Sequence, residues 1–180
     1  DRMDYLSAMM NRHALVGVIE EAMGVELTDR IKYVRTIMDE LQRIDSHLLY
    51  LGCCAQDLGA LTAFLYNMRD REHVLNVMEE TTGGRLIQNY YRIGGLQDDI
   101  DPNFVKNVKD LVAYLRPIIQ EYLDVFGDNV ITHQRFENIG VMDKENIISY
   151  GVTGCSGRAS GWKNDVRKNH PYDMYDKVEF

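Results

Sequence analysis

The sequence predicts an all-α fold, and three observations predict it. Apolar residues recur every third or fourth position through long stretches of the chain, the period of a helix that buries one stripe. Glycines and an Asp-Pro pair punctuate these stretches where helices should stop and start. No internal repeat or low-complexity tract interrupts the pattern.

The elements follow in order. A first helix is expected over about 3–23, stopped by Gly24, a residue that readily takes the left-handed conformation past a helix end. A second, over about 28–51, carries Ile31, Val34, Met38, Leu41, Ile44 and Leu48 on one stripe, and Gly52 permits a break. Helices over about 57–68 and 70–80 come next, the later one ended by Thr81-Thr-Gly-Gly84. Residues 83–100 are less regular, and Arg92-Ile-Gly-Gly95 gives the backbone room to turn tightly or approach a partner closely. Asp101-Pro102 then reads as N-cap and first helical residue. The helix it opens bears Val105, Val108, Val112, Leu115, Ile119 and Leu123 and ends near Gly127. Short helical pieces and a Gly/Ser-rich loop over 151–161 complete what is expected to be one helical domain over 1–180.

Composition narrows the function. With 180 residues and 45% hydrophobic content the chain can bury a core. A net charge of −8 makes a phosphate backbone an improbable partner, so no nucleic acid is expected. Cys53, Cys54 and Cys155 form neither a disulfide framework nor a metal spacing and suit a reducing compartment. No apolar run approaches the roughly 18–20 residues that span a bilayer. The first residue is Asp, and the expectation is an internal fragment of a longer polypeptide.

Several side chains could carry chemistry, each with a plainer reading beside it. Tyr5, at the start of the first helix, is either a half-buried packing residue or a phenol that hydrogen-bonds a carbonyl and gives up a proton. Glu40, Arg43 and His47 fall within about 60° of one another around the second helix. They read either as a solvated face with one Glu–Arg pair or as a buried polar string in which His47 titrates near neutral pH. Asp57 is followed by Leu61, Phe64 and Leu65 along an apolar face. It is either a helix N-cap or a carboxylate beside an apolar cavity, able to relay a proton. His13 shares a face with Met9, Met10 and Val16, where a hydrogen-bonded core histidine is the commoner outcome than a ligand. The 151–161 loop lacks the Gly-Lys-Ser/Thr of a phosphate cradle.

Taken together, the strings resemble one family over essentially the whole chain. Asp1-Arg-Met-Asp-Tyr5, then Glu40, Arg43 and His47, Gln56-Asp-Leu-Gly-Ala60 and Arg69-Asp-Arg-Glu72 come in its order. Arg92-Ile-Gly-Gly95, Gly157-Arg-Ala-Ser-Gly161, Asp165-Val-Arg-Lys168 and Pro171 through Phe180 continue the match. The family is the 49-kDa-type quinone-site subunit of NADH–quinone oxidoreductase (respiratory complex I), which is related to the [NiFe]-hydrogenase large subunit. The resemblance implies a hydrogenase-large-subunit-like helical core with irregular Gly-rich loops. It implies that Tyr5 meets the quinone headgroup, with Asp57 delivering protons and Phe64 lining the pocket. It implies further that NADH and iron–sulfur clusters belong to partner subunits, that this chain holds no metal, and that membrane-arm subunits adjoin it. The expected place is peripheral, on the cytoplasmic side of a bacterial inner membrane, in an enzyme that couples quinone reduction to proton translocation. The isolated fragment is expected to be inactive.

Two departures from the family pattern stand out. Where members often carry a histidine beside the terminal cluster, this chain has Ile87. Losing a titratable donor there should lower the cluster's potential and remove its pH dependence, which suits a low-potential quinone such as menaquinone. The family's Arg-Pro-Gly-Gly becomes Arg92-Ile-Gly-Gly95, a change in a turn. Two other readings stay open: a membrane-linked [NiFe] hydrogenase and a helical scaffold with no redox role. The first needs a Cys-x-x-Cys pair where this chain has Asp4-Tyr-Leu-Ser7.

Overall fold

The computed structural model describes residues 3–180; Asp1 and Arg2 of the opening string lie outside the described residues. The fold is mainly helical, and the chain divides into two compact units, 1–129 and 130–180.

The first unit begins with α1 (Ala8–Met23), later than the sequence pattern suggests. The Asp4 carboxylate accepts hydrogen bonds from the Leu6 N–H, at 2.9 Å, and from the Ser7 hydroxyl. That local pairing holds residues 4–7 in a turn and delays the helix. Gly24 ends α1 with φ 66°, as its position predicts. Next comes α2 (Asp29–Asp57), which runs straight through Gly52. Its stripe is buried as expected at Val34, Met38, Leu41 and Leu48. Gly52 marks a close approach instead of a break: a Cβ there would lie 3.1 Å from Asn67 Cβ and 3.4 Å from the Phe64 ring. The chain turns at Gly59, with φ 89°, where the Gly59 and Ala60 N–H groups close onto Gln56 and Ala55 carbonyls.

The helix α3 (Leu61–Thr82) is one element where two were expected. Asp70 has the look of a start signal, but its carboxylate is taken by tyrosines of a later helix, so it breaks nothing. Gly83, with φ 72°, ends α3. A two-residue hairpin follows, β1 (Tyr91–Arg92) against β2 (Gly95–Leu96), with Arg92 opposite Gly95. Gly94 supplies the positive φ, 81°, that so tight a turn needs.

The last long helix is α4 (Phe104–Tyr122). Pro102 lies in the turn before it, where Asp101 Oδ1 accepts from the Asn103 N–H at 2.7 Å. The stripe expected to be buried is largely the outer one. Val105, Val112, Ile119 and Leu123 are exposed, while Phe104, Leu111, Leu115, Ile118 and Tyr122 enter the core. The helix carries two neighbouring apolar strips, and the aromatic residues at either end of one of them decide which is buried. A π-helical turn, Leu123–Gly127, closes the unit.

The second unit holds α5 (Val130–Phe136), α6 (Lys144–Ser149), α7 (Gly154–Ala159), α8 (Val166–Asn169) and a 3₁₀ turn, Tyr175–Lys177. The expected Gly/Ser-rich loop thus contains a helix, α7. Gly157 is required there, because a Cβ would meet the Val152 carbonyl oxygen at 3.0 Å and the Trp162 ring at 3.3 Å. Asp143 caps α6 by accepting from the Asn146 N–H at 2.8 Å. The closing strings fold on each other: Arg167 pairs with Asp165 at 2.8 Å and lies 4.8 Å over the Phe180 ring. That pairing, with the Arg167 N–H, holds the Asp165 carboxyl down at about 2.

Candidate functional site

Tyr5 sits in the turn before α1 rather than on the helix, and it is 57% exposed. The backbone turn therefore sets where the side chain leaves the chain, and packing holds the phenol only in part. Hydrogen bonds from the Ser7 hydroxyl and the Leu6 N–H hold the Asp4 carboxyl below its ordinary value, so the clamp on this turn is an anion at neutral pH.

Asp57 is the last residue of α2, not a helix N-cap and not enclosed beside an apolar cavity. It is exposed, and its charge lies at the helix end where the backbone dipole is also negative. It raises the pKa of Cys54, although burial raises that thiol more. Phe64 is half-buried in the first turns of α3, its ring against Gly52. Asp57 and Phe64 thus share the α2–α3 corner. Among the described residues no hydrogen bond or ion pair joins Tyr5 to Asp57.

Glu40 and Arg43 are brought together: Arg43 Nε donates to both Glu40 oxygens at 3.1–3.2 Å, and both side chains are about a third exposed. His47 follows on the same face and is exposed. Within this chain the three form a partly wet face, and an exposed Glu–Arg pair of this spacing is worth about a few tenths of a kcal/mol.

Buried polar chemistry lies elsewhere. Arg35, with 0% exposure, donates through two nitrogens to the two Glu20 oxygens, each at 2.8 Å. Its Nη2 also reaches the Arg92 and Gly95 carbonyls at 3.0 Å, and the Gly94 N–H donates to Glu20 at 2.7 Å. The Arg92–Gly95 turn does approach a partner closely, and the partner is the Glu20–Arg35 pair of its own unit. Arg35 holds the Glu20 carboxyl below its ordinary range against the opposing effect of burial. Alongside, His13 Nδ1 lies 2.6 Å from Asp39 Oδ2, and the Tyr91 hydroxyl donates to Asp39 Oδ1 at 2.8 Å. His13 is therefore a buried, hydrogen-bonded core residue. The sequence signal for this cluster was present: Met9, His13, Val16 and Glu20 share one face of α1, where Glu20 is out of place unless paired.

A second buried group ties α3 to α4. Asp70 accepts from Tyr114 at 2.7 Å, from Tyr122 at 2.5 Å and from Arg69 at 2.7 Å. Burial acts to raise the Asp70 carboxyl, yet these hydrogen bonds outweigh it and hold it below the usual value. The Tyr122 phenol is pushed up by burial and by Asp70. A third group links Gln42, Asp45 and Arg71, with Arg71 Nε 2.8 Å from Asp45 Oδ1. Burial pushes the Asp45 carboxyl up despite Arg71. Among the described residues no three His, Cys, Asp or Glu side chains gather as a metal ion would require, and no helix is long and apolar enough to cross a membrane.

Comparison with known proteins supplies the context for these groups. Residues 57–180 match the model of the respiratory-chain NADH dehydrogenase 49 Kd subunit. The chain is 62% identical over 180 residues to the C/D-type NADH-quinone oxidoreductase polypeptide of Bacteroides fragilis, covering all of this chain and 34% of that one. It is 42% identical to the D-type polypeptide of the same enzyme from Geobacillus thermodenitrificans, covering 49% of that protein. It therefore spans between a third and a half of these relatives. Among solved structures it resembles the membrane-bound sulfane sulfur reductase, an archaeal respiratory membrane complex. There the TM-score is 0.86 at 34% identity, over 90% of this chain and 44% of that one. The motif order, the helical fold and the family match converge: the chain belongs to the respiratory-chain NADH dehydrogenase 49 Kd subunit family.

Proposed function

We propose that this chain contributes the quinone-reduction site of an NADH:quinone oxidoreductase. The observation that carries the proposal is the turn at residues 4–7: an ionised Asp4 clamps the backbone so that an exposed Tyr5 leads into α1. A phenol so placed donates a hydrogen bond to a quinone carbonyl. Reduction to the quinol takes two electrons and two protons, and the Tyr5 hydroxyl supplies one proton as charge builds on the carbonyl oxygen. Asp57, exposed at the α2–α3 corner, serves proton delivery and reprotonation, and Phe64 offers an apolar wall to the headgroup. Electrons arrive from an iron–sulfur cluster in a neighbouring subunit, itself fed from NADH, and membrane-arm subunits couple the reaction to proton translocation.

With such partners the chain would lie peripherally, on the cytoplasmic side of a bacterial inner membrane. A hydrogenase reading is disfavoured because Asp4-Tyr-Leu-Ser7 offers no thiolate for nickel. Ile87, apolar and 39% exposed two residues after Arg85, offers no titratable donor and so supports a cluster of low, pH-independent potential and hence a quinone such as menaquinone. A redox titration showing a high, pH-dependent potential would overturn that part.

The test of the whole reading is Tyr5→Phe in the assembled enzyme. Quinone reduction should fall by about 10²-fold or more, the usual contribution of a general acid. NADH oxidation by an artificial acceptor upstream of the site should be unchanged. Undiminished quinone reduction would favour a scaffold role instead.

A further inference from the structure

The geometry points to Gln42 as the residue that positions the Tyr5 turn, an inference that rests on the quinone-site reading above. Gln42 lies on α2 with 1% exposure. Its Nε2 donates to the Leu6 carbonyl at 3.2 Å and to Asp45 Oδ2 at 3.0 Å. Asp45 is held in turn by Arg71 of α3 at 2.8 Å. A buried relay thus runs from α3 through α2 to the residue that follows Tyr5.

Three features make this a positioning device rather than filler. First, Leu6 is gripped on both sides: Asp4 takes its N–H and Gln42 its carbonyl. The backbone leaving Tyr5 is fixed where the side chain, more than half exposed, is only partly held by packing. Second, the amide sits one way round. Reversed, its oxygen would face a carbonyl and a carboxylate, both acceptors. Third, Gln42 Oε1 is buried without a donor among the described residues. An unpaired buried oxygen is a penalty that Met, of similar length, would avoid. Packing alone gives no reason for Gln here, whereas two N–H donors, one for the buried Asp45 and one for the Leu6 carbonyl, do.

Gln42 touches no reacting atom and acts through Tyr5, so its test is coupling to Tyr5. The full-length assembled oxidoreductase is prepared as Gln42→Met, Tyr5→Phe and the double variant. Gln42→Met should lower the quinone-reduction kcat by roughly three- to tenfold, what one neutral hydrogen bond can hold. NADH oxidation by an upstream artificial acceptor should not change. In the Tyr5→Phe background the same substitution should add nothing, because the hydroxyl it positions is gone. Losses that multiply in the double variant, or an unaffected Gln42→Met enzyme, overturn the inference. If Tyr5→Phe alone keeps full activity, the quinone-site reading fails and Gln42 falls with it. If Gln42→Met does not assemble, Gln42→Asn replaces it: the amide is kept but is one methylene too short to hold both Leu6 and Asp45. It should lower the quinone-reduction kcat when Tyr5 is present and add nothing in the Tyr5→Phe background. An equal loss in both backgrounds contradicts the positioning role.

Discussion

Replacing Arg35 by Met removes the partner of a carboxylate that has almost no access to water. Glu20 is 5% exposed and Arg35 0%, and the two share a bidentate pair at 2.8 Å. After Arg35→Met, Glu20 keeps the Gly94 N–H, at 2.7 Å, and loses both charged donors. Breaking one side of a buried pair typically costs about 3–5 kcal/mol. The Arg92 and Gly95 carbonyls lose their donor in the same change, so the upper half of that range applies. For a chain of this size about 2–4 °C of Tm accompanies each kcal/mol, so the melting midpoint should drop by roughly 8–20 °C.

The pH dependence follows from the sign of the Glu20 shift. Its carboxyl is depressed in the folded state by Arg35, from an ordinary value of 4.5. The contribution is present above that pH and lost as pH falls through the folded-state value. In Arg35→Met burial dominates, and the variant should regain stability as Glu20 protonates. Replacing both residues, Glu20→Met with Arg35→Met, should recover much of the loss, since well-packed apolar groups often substitute for buried pairs. Circular dichroism melts of the chain from pH 3 to 8 measure all three. A midpoint drop below about 3 °C, or a double variant no better than Arg35→Met, would refute the reasoning.

Two further substitutions test the packing that carries the site. Gly52→Val should cost about 1–3 kcal/mol in urea unfolding, because its Cβ would stand 3.1 Å from Asn67 Cβ and force α2 and α3 apart at the Asp57–Phe64 corner. Tyr122→Phe should cost about 1–3 kcal/mol by leaving Asp70, itself 0% exposed, short of a donor. Tyr114→Phe should cost less, because Tyr114 is at the surface and water can take its place. Equal losses for the two tyrosines would show that water does not replace the Tyr114 hydroxyl at Asp70.

The helices of the first unit were legible where one apolar stripe dominated. The α2 stripe from Val34 to Leu48 is buried as its spacing predicts, and Gly24 and Gly83 end helices for the reason glycine usually does. Reading failed where a residue had a tertiary partner that sequence spacing does not show. Asp70 looked like a helix start because two tyrosines roughly 45–50 residues later could not be seen to claim it. Gly52 looked like a break because its neighbour is another helix. In α4 two adjacent strips were equally apolar, and the period could not choose between them. The family was legible from short strings, since Tyr5, Arg69 and Arg92 keep their order through the chain. The Glu20–Arg35 pair left only half a signal, Glu20 on the buried face of α1, and the Gln42–Asp45–Arg71 group left none, because the partners lie on different elements.

The most direct test is the structure of the assembled oxidoreductase with a quinone bound. The Tyr5 hydroxyl should lie about 2.5–3.0 Å from a quinone carbonyl oxygen, the range of an O–H···O hydrogen bond. The Leu6 carbonyl should still be held by Gln42, and the headgroup should lie near Phe64. A headgroup whose two carbonyls both find partners elsewhere, with Tyr5 left facing water, would contradict the quinone-site reading.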